Sequence, residues 1–569
     1  MGKWIVGAAW PYVNTIPHLG TMIQMLSADV FVRFLKLMGE DVVFVSGSDE
    51  HGTPIEVEAR IRGVDPKAFT DAVHNYVINL FNKWLIDFSL YTRTESEHHK
   101  EFVREFMDNL YKRGYIFSKI MVMPYCPRDK IFLPDRFIEG ICPICGYESA
   151  RGDQCDNCGV LLDPTDLINP RCVFCNSRPI YKKTKHWFFD LSKLETEIKE
   201  WLLNHKTIGE NVKTYCFEWL KRGLKPRSIT RDNKWGIPAP FKEAEGKTIY
   251  VWFEALLGYL SASKKYLESI GKKFEDYWFN PETKTAYFIG KDNIPFHAII
   301  LPAMLMASGE PYVLPHRVAS TEYLMFEGQK FSKSKRIGIW IDEALKIVND
   351  PDYWRFALIR MRPETKDTSF TWREFFRIVN NELNDDIGNF IHRVLSLIYR
   401  GFNGKVPKPR NILDIDREFL EQVKKCYEEY VVRMYNAELK AGSEKILEIA
   451  RLGNQFLNRR APWKLIKQKP SEAASVLHIL VNVVRGLVLC LTPLTPNAAS
   501  KAWVMLKLGN KPKSNELKTA FDLILKPGHE ILKPSPLFKK LPSDFLKLVN
   551  ELISRARNEV LKERPEFVK

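Results

Sequence analysis

The first twenty-one residues constrain the fold more than any other stretch of this chain. Residues 3–9 (KWIVGAA) are a short apolar run of the kind that forms a buried parallel strand, and a loop containing Pro11 interrupts it. Residues 17–20 (PHLG) then begin a helix. A buried strand that passes through a loop into a helix is the opening unit of an α/β sheet.

The start of this first helix is suited to binding a phosphate. A helix N-terminus presents unpaired backbone N–H groups and the positive end of the helix dipole. Gly20 leaves the approach open, His18 supplies a side-chain donor beside it, and Pro17 would set the entry angle of the first turn. An ordinary turn with a surface histidine explains the same residues, so residues 17–20 alone leave both interpretations open.

The strand and helix pattern continues beyond this turn. Residues 22–38 carry apolar side chains at helical spacing, and residues 41–46 (DVVFVS) form a second buried strand that ends in residues 47–53 (GSDEHGT). Ligands of open α/β sheets bind beyond the carboxyl ends of the strands. Asp49 would lie at such an end, where it either binds a ligand ammonium or caps the next helix.

The spacing of the cysteines predicts metal binding. Two Cys-x2-Cys pairs separated by nine residues predict a tetrahedral zinc site with a structural role, formed by Cys142, Cys145, Cys155 and Cys158. A second, similar site is inferred from Cys126, Asp129, Cys172 and Cys175. Disulfides are the competing interpretation, and the absence of a secretory signal ahead of the first strand favours metal. The remaining cysteines have no neighbour at ligand spacing and are expected to be buried apolar residues, namely Cys216, Cys426 and Cys490.

The α/β pattern resumes after the cysteine-rich segment. Residues 248–253 (TIYVWF) are predicted to form a strand that leads into a helix, and residues 285–289 (TAYFI) form a further strand ahead of a helix with Phe296. The sheet is therefore expected to be split between sequence before and after the insertion. An apolar pocket with polar tips could be lined by Tyr12, Trp252, Tyr259 and His297, although each of these side chains taken singly is more often a core residue.

The later part of the chain contains a basic loop and then helices. Residues 330–336 (KFSKSKR) place two lysines three positions apart, so that both could reach one polyphosphate, although a solvated surface loop is the default for such a sequence. Beyond residue 371, long amphipathic helices without strands predict a bundle that extends to about residue 541. Residues 542–569 form one last amphipathic helix.

Charge is concentrated in the helical part of the chain. The whole chain carries a net charge of +16, and the residues from 376 onward contain 34 basic and 21 acidic side chains. This excess suits a polyanionic partner, and a surface rich in solvated lysines is the alternative. The apolar run at 475–492 contains His478, Asn482 and Arg485, which favours a buried bundle helix over a membrane span. Together with the missing signal peptide, this predicts a soluble cytoplasmic protein.

These observations predict an α/β fold of the Rossmann type, in which a zinc-knuckle insertion splits a parallel sheet and an all-α bundle follows. The predicted segments are residues 1–115 (first half of the sheet), 116–240 (connective insertion), 241–322 (second half of the sheet), 323–375 (basic loop and the residues that follow it), 376–541 (helical domain) and 542–569 (C-terminal helix).

The order of these motifs resembles the class I aminoacyl-tRNA synthetases, and among them the methionyl-tRNA synthetases of the archaeal and eukaryotic branch. Residues 18–21 (HLGT) match the HIGH signature except at Leu19 and Thr21, and residues 330–334 match KMSKS except at Phe331. Arg336 stands where the family usually has glycine. Related synthetases for isoleucine, valine and leucine carry a large editing domain at the insertion, for which about 120 residues leave little room here.

The resemblance implies roles for individual residues. The catalytic residues would be His18, Gly20, Lys330 and Lys333. ATP would contact Pro11, His18, Gly20, Thr21, Gly290, Asp292, Lys330, Ser332 and Lys333. Methionine would contact Ala9, Trp10, Tyr12, Asp49, Trp252, Ala255, Tyr259 and His297. Leu256 and Asn293 differ from the residues of some bacterial relatives. The tRNA anticodon would be read by Asn389, Arg393 and Trp463, because splayed bases stack on aromatic rings and bond to polar side chains.

The resemblance further implies ligation of methionine to tRNA(Met), including the initiator tRNA, with ATP and Mg²⁺ in the reaction and Zn²⁺ in a structural role. A separate tRNA-binding protein is a further candidate partner. Two other functions remain open at this point. One is a class I synthetase for another amino acid, and the other is a non-catalytic RNA-binding zinc protein on the same scaffold.

Overall fold

The computed structural model describes residues 2–155, 157, 158, 160, 162–332 and 336–568. The first part of the chain alternates strands and helices as the apolar pattern predicts. Its elements are β1 Lys3–Ala8, α1 Leu19–Leu37, β2 Asp41–Ser48, α2 Thr53–Arg62, α3 Pro66–Lys83, β3 Leu90–Arg93 and α4 Glu97–Lys112.

The insertion that follows is built mainly of antiparallel strands and two short helices. Its elements are β4 Ile116–Cys126, β5 Ile131–Phe132, β6 Ile138–Ile141, β7 Ala150–Arg151, β8 Ile168–Cys172, β9 Ile180–Phe189, α5 Glu195–Asn204, α6 Glu210–Lys221, β10 Arg227–Ser228 and β11 Thr230–Arg231. Strands β4 and β9 form a long hairpin-like ladder in a sheet of order β10-β9-β4-β5, and β7-β6-β8 form a second, smaller sheet that carries cysteines.

The chain then returns to the first sheet. The elements of this part are β12 Thr248–Ile249, α7 Val251–Ser269, α8 Glu275–Trp278, β13 Lys284–Gly290, α9 Leu301–Ala307, β14 Arg317–Thr321, β15 Leu324–Phe326, α10 Ile341–Ile347, α11 Pro351–Arg360 and β16 Thr368–Phe370. One turn of π-helix, Phe296–Ile300, precedes α9.

Five parallel strands in the order β14-β13-β1-β2-β3 form the central sheet. The strand β1 is central and almost entirely buried, as its apolar sequence requires, and it pairs with β2 on one side and β13 on the other. The two halves of the sheet therefore come from before and after the insertion. This confirms the predicted fold class.

The predicted strand at residues 248–253 is wrong beyond its first two residues. Only Thr248 and Ile249 pair, with β11, and the long helix α7 begins at Val251. The run TIYVWF has high local preference for strand, but this preference depends strongly on context. Here the residues from Val251 onward belong to the same helix as residues 256–260, and one face of this helix packs on β2. Tertiary packing therefore overrides the local preference for strand.

The C-terminal part is helical, as predicted, up to about residue 505. Its helices are α12 Trp372–Arg377, α13 Asn389–Gly401, α14 Asp414–Tyr435, α15 Leu439–Arg460, α16 Pro462–Gln468, α17 Pro470–Leu491, α18 Pro496–Met505 and α19 Phe545–Glu563. A π-helix, Ile378–Gly388, joins α12 to α13. The prediction of helices through residue 541 is wrong for residues 506–541, which hold one short 3-10 turn and otherwise irregular backbone.

Helix α17 forms the centre of the bundle. It is the one described helix that is long and apolar enough to cross a membrane, and all of its most apolar window is buried inside the protein. Its polar residues are satisfied internally, since Asn482 exchanges hydrogen bonds with the backbone of Leu525 and Arg485 donates to the carbonyl of Thr519. These contacts agree with the prediction of a buried bundle helix.

Candidate functional site

The central sheet brings the predicted site segments to one crevice. The chain leaves β1 toward β2 on one side and leaves β13 toward β14 on the other, so the two connections diverge between these neighbouring strands. Open α/β sheets bind ligands beyond the carboxyl ends of the strands at such a point. Residues 9–12 follow β1 and residues 291–293 follow β13, so segments nearly 300 residues apart meet here.

His18 is the N-cap residue of α1. Its Nδ1 accepts a hydrogen bond of 3.2 Å from the Thr21 N–H, so the neutral ring carries its proton on Nε2. The ring is half-buried in the crevice, and desolvation lowers the pKa of His18 to about 4. His18 is therefore an uncharged hydrogen-bond donor at neutral pH, beside the positive end of a helix.

Close packing joins the start of α1 to the basic loop. The ring of Phe331 stacks on the ring of His18 with centroids 4.4 Å apart. A Cβ at Gly20 would lie 3.0 Å from the His18 ring and 3.3 Å from Phe331, so a side chain there would push this stack apart. The Leu19 N–H also donates to the carbonyl of Ile339, which follows the loop, over 3.1 Å. The two signature segments thus form one structural unit.

Lys330 lies exposed at the base of the basic loop. Its Nζ is 5.3 Å from the centroid of the Tyr323 ring, within the range of a cation–π contact. Ser332 and Ile337 pair across the loop through two backbone hydrogen bonds of 2.9 Å. The second predicted lysine, Lys333, lies outside the described residues.

The segment after β13 presents a carboxylate that is already oriented. The Tyr323 hydroxyl donates to Asp292 Oδ1 over 2.7 Å. Beside it, Lys291 Nζ pairs with Glu322 at 2.8 Å and lies 3.9 Å from the centroid of the Tyr323 ring. A Cβ at Gly290 would lie 2.8 Å from the Gln24 side chain, so glycine permits the close approach of α1.

Asp49 is a buried carboxylate with an unsatisfied oxygen. Its backbone exchanges hydrogen bonds with Pro11 and Val13, which fixes it beside the first loop. The side chain is 3% exposed, and Oδ1 has no hydrogen-bond partner among the residues that the structure describes. Burial and then the charge of Glu254 raise the pKa of Asp49 well above its usual value. Gly52, and not Asp49, is the N-cap of α2, so the capping interpretation is wrong.

The predicted aromatic residues form two hydrogen-bonded pairs. Trp252 Nε1 donates to the Tyr12 hydroxyl over 2.5 Å, and the Trp252 ring meets Phe296 edge-on. His297 Nδ1 donates to the carbonyl of Asn293 over 3.0 Å, so His297 Nε2 accepts from the Tyr259 hydroxyl at 2.9 Å. Burial lowers the pKa of His297 to about 4, which keeps this ring neutral.

The remaining predicted pocket residues lie on the same elements. Ala9 follows β1 and donates its N–H to the carbonyl of Phe288 over 2.9 Å. Ala255 lies one helical turn before Tyr259 on α7 and is partly exposed. Trp10 is held between glycines that the sequence reasoning missed: a Cβ at Gly47 or Gly258 would lie 2.5 Å from its ring. The buried Nε1 of Trp10 is unsatisfied within the described part of the chain.

A charged network behind Asp49 was also missed. His51 Nδ1 lies 2.7 Å from Glu254 Oε1, and His51 Nε2 lies 2.8 Å from Glu95 Oε2. Burial by itself would lower the pKa of His51, but Glu254 and Glu95 raise it to about 10. Glu254 immediately precedes Ala255 on α7, and no local sequence signal distinguishes it from an ordinary helix residue. Only the tertiary contact with His51 shows its role in the core.

The first cysteine cluster has the geometry of a metal site. The four ligand atoms of Cys142, Cys145, Cys155 and Cys158 lie within 4.8 Å of one another. The Sγ–Sγ distances of 3.9 Å for Cys142 and Cys158 and 3.6 Å for Cys145 and Cys155 agree with about 3.8 Å for a tetrahedron with Zn–S bonds of about 2.3 Å. These distances are too long for a disulfide, so the disulfide interpretation is wrong.

The second cluster has three sulfurs and one carboxylate. The ligand atoms of Cys126, Asp129, Cys172 and Cys175 also lie within 4.8 Å of one another, and Asp129 Oδ2 is 3.2 Å from Cys126 Sγ and 3.3 Å from Cys172 Sγ. Arg60 on α2 pairs with the other oxygen of Asp129 at 3.0 Å. This donor set fits zinc, with the arginine orienting the carboxylate. Both clusters can therefore hold a metal ion. The other three cysteines are buried, as predicted.

The bundle brings the predicted base-reading residues together at its surface. Asn389 is exposed at the start of α13, and Arg393 lies one turn later on the same helix. Arg393 donates to Asn458 on α15 over 3.0 Å and lies 5.5 Å from the centroid of the Trp463 ring. Trp463 is 38% exposed, which is unusual for a tryptophan and leaves a ring face for stacking.

The chain has a split parallel sheet, and the N-terminus of α1, which suits a phosphate, is joined to a basic loop. A helical bundle follows. This combination is that of a class I aminoacyl-tRNA synthetase. A family model described as tRNA synthetases class I (M) matches residues 4–395, and one described as the anticodon binding domain of methionyl tRNA ligase matches residues 406–554. The chain belongs to the methionine–tRNA ligases, a family of enzymes that join an amino acid to tRNA.

Individual relatives agree with this family. The chain is 58% identical over 569 residues to the methionine–tRNA ligase of Ignicoccus hospitalis, covering 99% of this chain and all of the relative. It is 54% identical over 573 residues to that of Aeropyrum pernix, covering both chains fully. The fold is similar to a crystal structure of Mycobacterium tuberculosis methionyl-tRNA synthetase bound by methionyl-adenylate, with a TM-score of 0.78, 23% identity and coverage of 95% of this chain and 100% of that chain.

Proposed function

We propose that this enzyme activates methionine with ATP in the crevice between β1 and β13 and then transfers it to the 3′ end of tRNA(Met), including the initiator tRNA. In the first step a carboxylate oxygen of methionine attacks the α-phosphorus of ATP, and the bond to the leaving pyrophosphate breaks. In the second step a ribose hydroxyl of the terminal adenosine attacks the methionyl carbonyl, and AMP is released. Mg²⁺ would enter with ATP as part of the substrate.

One observation carries the proposal: an unsatisfied buried carboxylate and a phosphate-suited helix N-terminus face the same crevice. Asp49 offers Oδ1 to an ammonium group, and the N-terminus of α1 with His18 offers donors to a phosphate. An amino acid bound by Asp49 would thereby present its carboxylate to the α-phosphorus. Since that nucleophile is already ionised, catalysis needs alignment and donors where charge develops, and no general base.

The proposed roles of the other residues follow the same geometry. Lys330, with Lys333 from the same loop, would neutralise the leaving pyrophosphate. The remaining contacts to ATP are proposed for Pro11, Thr21, Gly290, Asp292 and Ser332. The methionine side chain would lie among the aromatic pairs around Tyr12 and Tyr259. Tyr259 donates its hydroxyl proton to His297, and His297 donates its ring proton to the Asn293 carbonyl. Neither side chain has a further donor for a polar substrate side chain, which favours the thioether of methionine.

The second step needs access for the 3′ end of the tRNA. A cavity of about 760 Å³ lies between α7 and the insertion, whose helix α6 forms part of its wall. Its lining includes Trp252 and Phe296 from the wall of the amino-acid pocket, together with Arg222, Arg227 and Arg231. We propose that the terminal nucleotides enter through this cavity while the basic bundle holds the anticodon through Asn389, Arg393 and Trp463.

The proposal assigns one task to each segment of the chain. Residues 1–115 and 241–322 form the catalytic sheet, and residues 116–240 form the zinc-bound insertion. Residues 323–375 contain the signature loop and the region that would contact the tRNA stem. Residues 376–541 read the anticodon, and residues 542–569 form the C-terminal helix. We propose two zinc ions per chain, a cytoplasmic location where ribosomes consume charged tRNA, and a separate tRNA-binding protein as a further partner.

Exchange of labelled pyrophosphate into ATP tests the first step. We expect exchange that depends on methionine and is far weaker with isoleucine, valine or leucine at the same concentration. A preference for one of those amino acids would assign the enzyme to another synthetase specificity. Absence of exchange with every amino acid, in protein that binds tRNA and retains its metal, would contradict the proposal and favour a non-catalytic RNA-binding protein.

A further inference from the structure

The amino-acid site has an unusual excess of buried negative charge. Asp49 and Glu254 are 3% and 0% exposed, and each has a carboxylate oxygen without a hydrogen-bond partner in the described structure. Glu95 is also largely buried, with 12% of its side chain exposed. Burying a carboxylate without a counter-charge costs several kcal/mol, so Asp49 and Glu254 require a positively charged group nearby.

His51 is the positively charged group inside this region. It follows Asp49 by two residues, and its two ring nitrogens lie against one carboxylate each, Glu254 at 2.7 Å and Glu95 at 2.8 Å. A neutral imidazole has one donor only, whereas both nitrogens here face an acceptor. An imidazolium between two carboxylates satisfies both contacts, and the raised pKa of His51 agrees with it.

His51 joins two elements that carry the amino-acid pocket to the segment before α4. Glu254 lies in the first turn of α7, which also carries Trp252 and Tyr259, and Glu95 lies two residues before the start of α4. Asp49 and His51 belong to the loop after β2. The ring of Trp235 also packs edge-on against His51, with the two ring centroids 5.5 Å apart, and covers the network. Loss of the imidazolium would weaken the contact between the loop after β2 and α7, which are both pocket segments.

We infer that His51 is a positioning residue of the amino-acid site: it clamps Glu254 and Glu95 and supplies the positive charge that lets Asp49 stay ionised toward a substrate ammonium. This inference rests on the proposed function, because it assigns the ammonium to methionine. His51 itself does not contact the substrate in this scheme. Its effect reaches the substrate through the charge and position of Asp49.

The charged groups that face His51 fix the expected direction of the pH dependence. Asp49 and Glu50 come from its own loop, Glu254 from α7 and Glu95 from the segment before α4; α4 itself contributes His99, and also Lys100, which pairs with Glu95. Burial and Glu254 raise the pKa of Asp49, while His51 lowers it. Without the imidazolium, Asp49 would take up a proton at higher pH and lose its attraction for an ammonium group.

Four variants test the inference in the pyrophosphate exchange assay with the intact, metal-loaded enzyme. His51→Gln keeps a polar side chain without charge, and Glu254→Gln removes the nearest carboxylate. The third variant is the double substitution of both. His74→Gln is the matched control, because His74 is also buried beside the β2 loop, 3.7 Å from Glu50, but burial lowers its pKa to about 4 and it carries no charge.

For His51→Gln we expect the KM for methionine at pH 7 to rise about tenfold or more, and its dependence on pH to be displaced upward by about one unit. The kcat and the KM for ATP should change by less than about threefold, as expected for a loss confined to binding of one substrate. Glu254→Gln should displace the profile to lower pH. The double variant should recover most of the loss, and His74→Gln should match the wild-type profile.

Several results would overturn the inference. One is a folded His51→Gln enzyme with an unchanged KM for methionine and pH profile, even if its melting temperature falls, since His51 would then be purely structural. Another is a double variant that is no better than His51→Gln. If His51→Gln does not fold, a Glu254→Gln profile displaced to higher pH would be equally decisive. Failure of the proposed function is distinct, because the wild-type enzyme would then show no methionine-dependent exchange.

Discussion

His18 combines two tasks in one ring. Its Nδ1 caps α1 by accepting from Thr21, and this leaves the proton on Nε2 as a donor in the crevice. Replacement with alanine removes both, whereas His18→Asn keeps a side chain that caps helices well but is too short to place the donor at the same point. Comparison of the two variants therefore separates the effect of His18 on helix stability from its effect on the rate of adenylate formation.

We predict that both variants slow adenylate formation by about 10²-fold or more, the usual effect of removing one transition-state donor. Only His18→Ala should also lose about 1 kcal/mol of stability from the missing cap. Single-turnover formation of the adenylate and urea denaturation measure the two effects. A His18→Asn enzyme with wild-type rates would show that the ring matters only as a cap.

The titration of His18 has a definite sign. Its pKa in the folded protein, about 4, is lower than the unfolded value of about 6.5, so the folded state disfavours the charged ring. Its contribution to stability is complete above about pH 6.5 and is lost as the pH falls toward 4. For the same reason, we expect that no titration of His18 modulates the activation rate between about pH 6 and 8.

Trp463 provides a residue-scale test of the division between the two steps. We predict that Trp463→Ala leaves methionine-dependent exchange within about twofold of wild type and lowers the kcat/KM of tRNA charging by about 10-fold or more, because stacking of one base contributes roughly 1–3 kcal/mol. Trp463→Phe keeps an aromatic face and should lose less. Equal losses in exchange and charging would contradict a role limited to the anticodon.

The loop after Lys330 has an arginine in a backbone conformation that favours glycine. The resemblance expects glycine at position 336, where this chain has arginine, and Arg336 adopts φ of +53°, in the left-handed region that favours glycine. A non-glycine residue in this region costs on the order of 1 kcal/mol. Arg336 therefore takes a conformation that glycine adopts more easily, while backbone pairing of Ser332 with Ile337 closes the loop around it.

At the scale of elements, the two cysteine clusters lie on the small sheet and hairpin of the insertion. That part has its own core of few residues, which include the ligands Cys126, Cys142, Cys155 and Cys172. A core this small is marginal without additional links. The metal would therefore contribute directly to folding of the insertion.

We predict about two zinc ions per chain in protein purified without chelators. Cys158→Ser and Cys175→Ser should each lower the content to about one, and Cys426→Ala should leave it unchanged because Cys426 is a buried bundle residue. Elemental analysis measures the content, and limited proteolysis should show cleavage within residues 116–190 when metal is removed. A content of one that only Cys158→Ser abolishes would leave the second cluster as a metal-free, hydrogen-bonded knuckle.

Helix α7 illustrates the limits of prediction for an element. The strand residues that start the sheet, such as those of β1, are apolar on both faces, and few structures other than a buried parallel strand accommodate them. The run at residues 248–253 carries similar residue types, yet Glu254 in the following position must reach His51 in the core. Local preference and long-range contact disagree there, and the long-range contact prevails.

At the scale of the whole molecule, one buried arginine joins the sheet to the bundle. Arg355 on α11 is fully buried and donates to Asp29 of α1 at 2.6 Å, to the Trp84 carbonyl after α3 at 3.1 Å, and to the carbonyls of Pro493 and Leu494 after α17. These groups come from segments separated by more than 450 residues. A charged residue in such a place is stabilised only by these acceptors.

We predict that Arg355→Ala destabilises the protein by about 3–5 kcal/mol, because it leaves Asp29 as a buried carboxylate with one remaining arginine neighbour and several carbonyls without donors. Arg451→Ala is the control, since its ion pair with Asp386 is surface-exposed and should contribute about 1 kcal/mol or less. Denaturant unfolding of both variants measures the difference. Equal effects would show that Arg355 does not join the two parts.

Elements with local signals could be predicted from the amino-acid sequence. The opening strand and helix, the cysteine knuckles and the amphipathic bundle helices follow from apolar periodicity and ligand spacing, because these patterns act over distances of a few residues. The contacts between distant side chains could be seen only in the tertiary structure. Phe331 stacks on His18, His51 binds Glu254, and Arg355 spans sheet and bundle, since each contact depends on the closure of loops hundreds of residues long, about which short-range pattern carries no information.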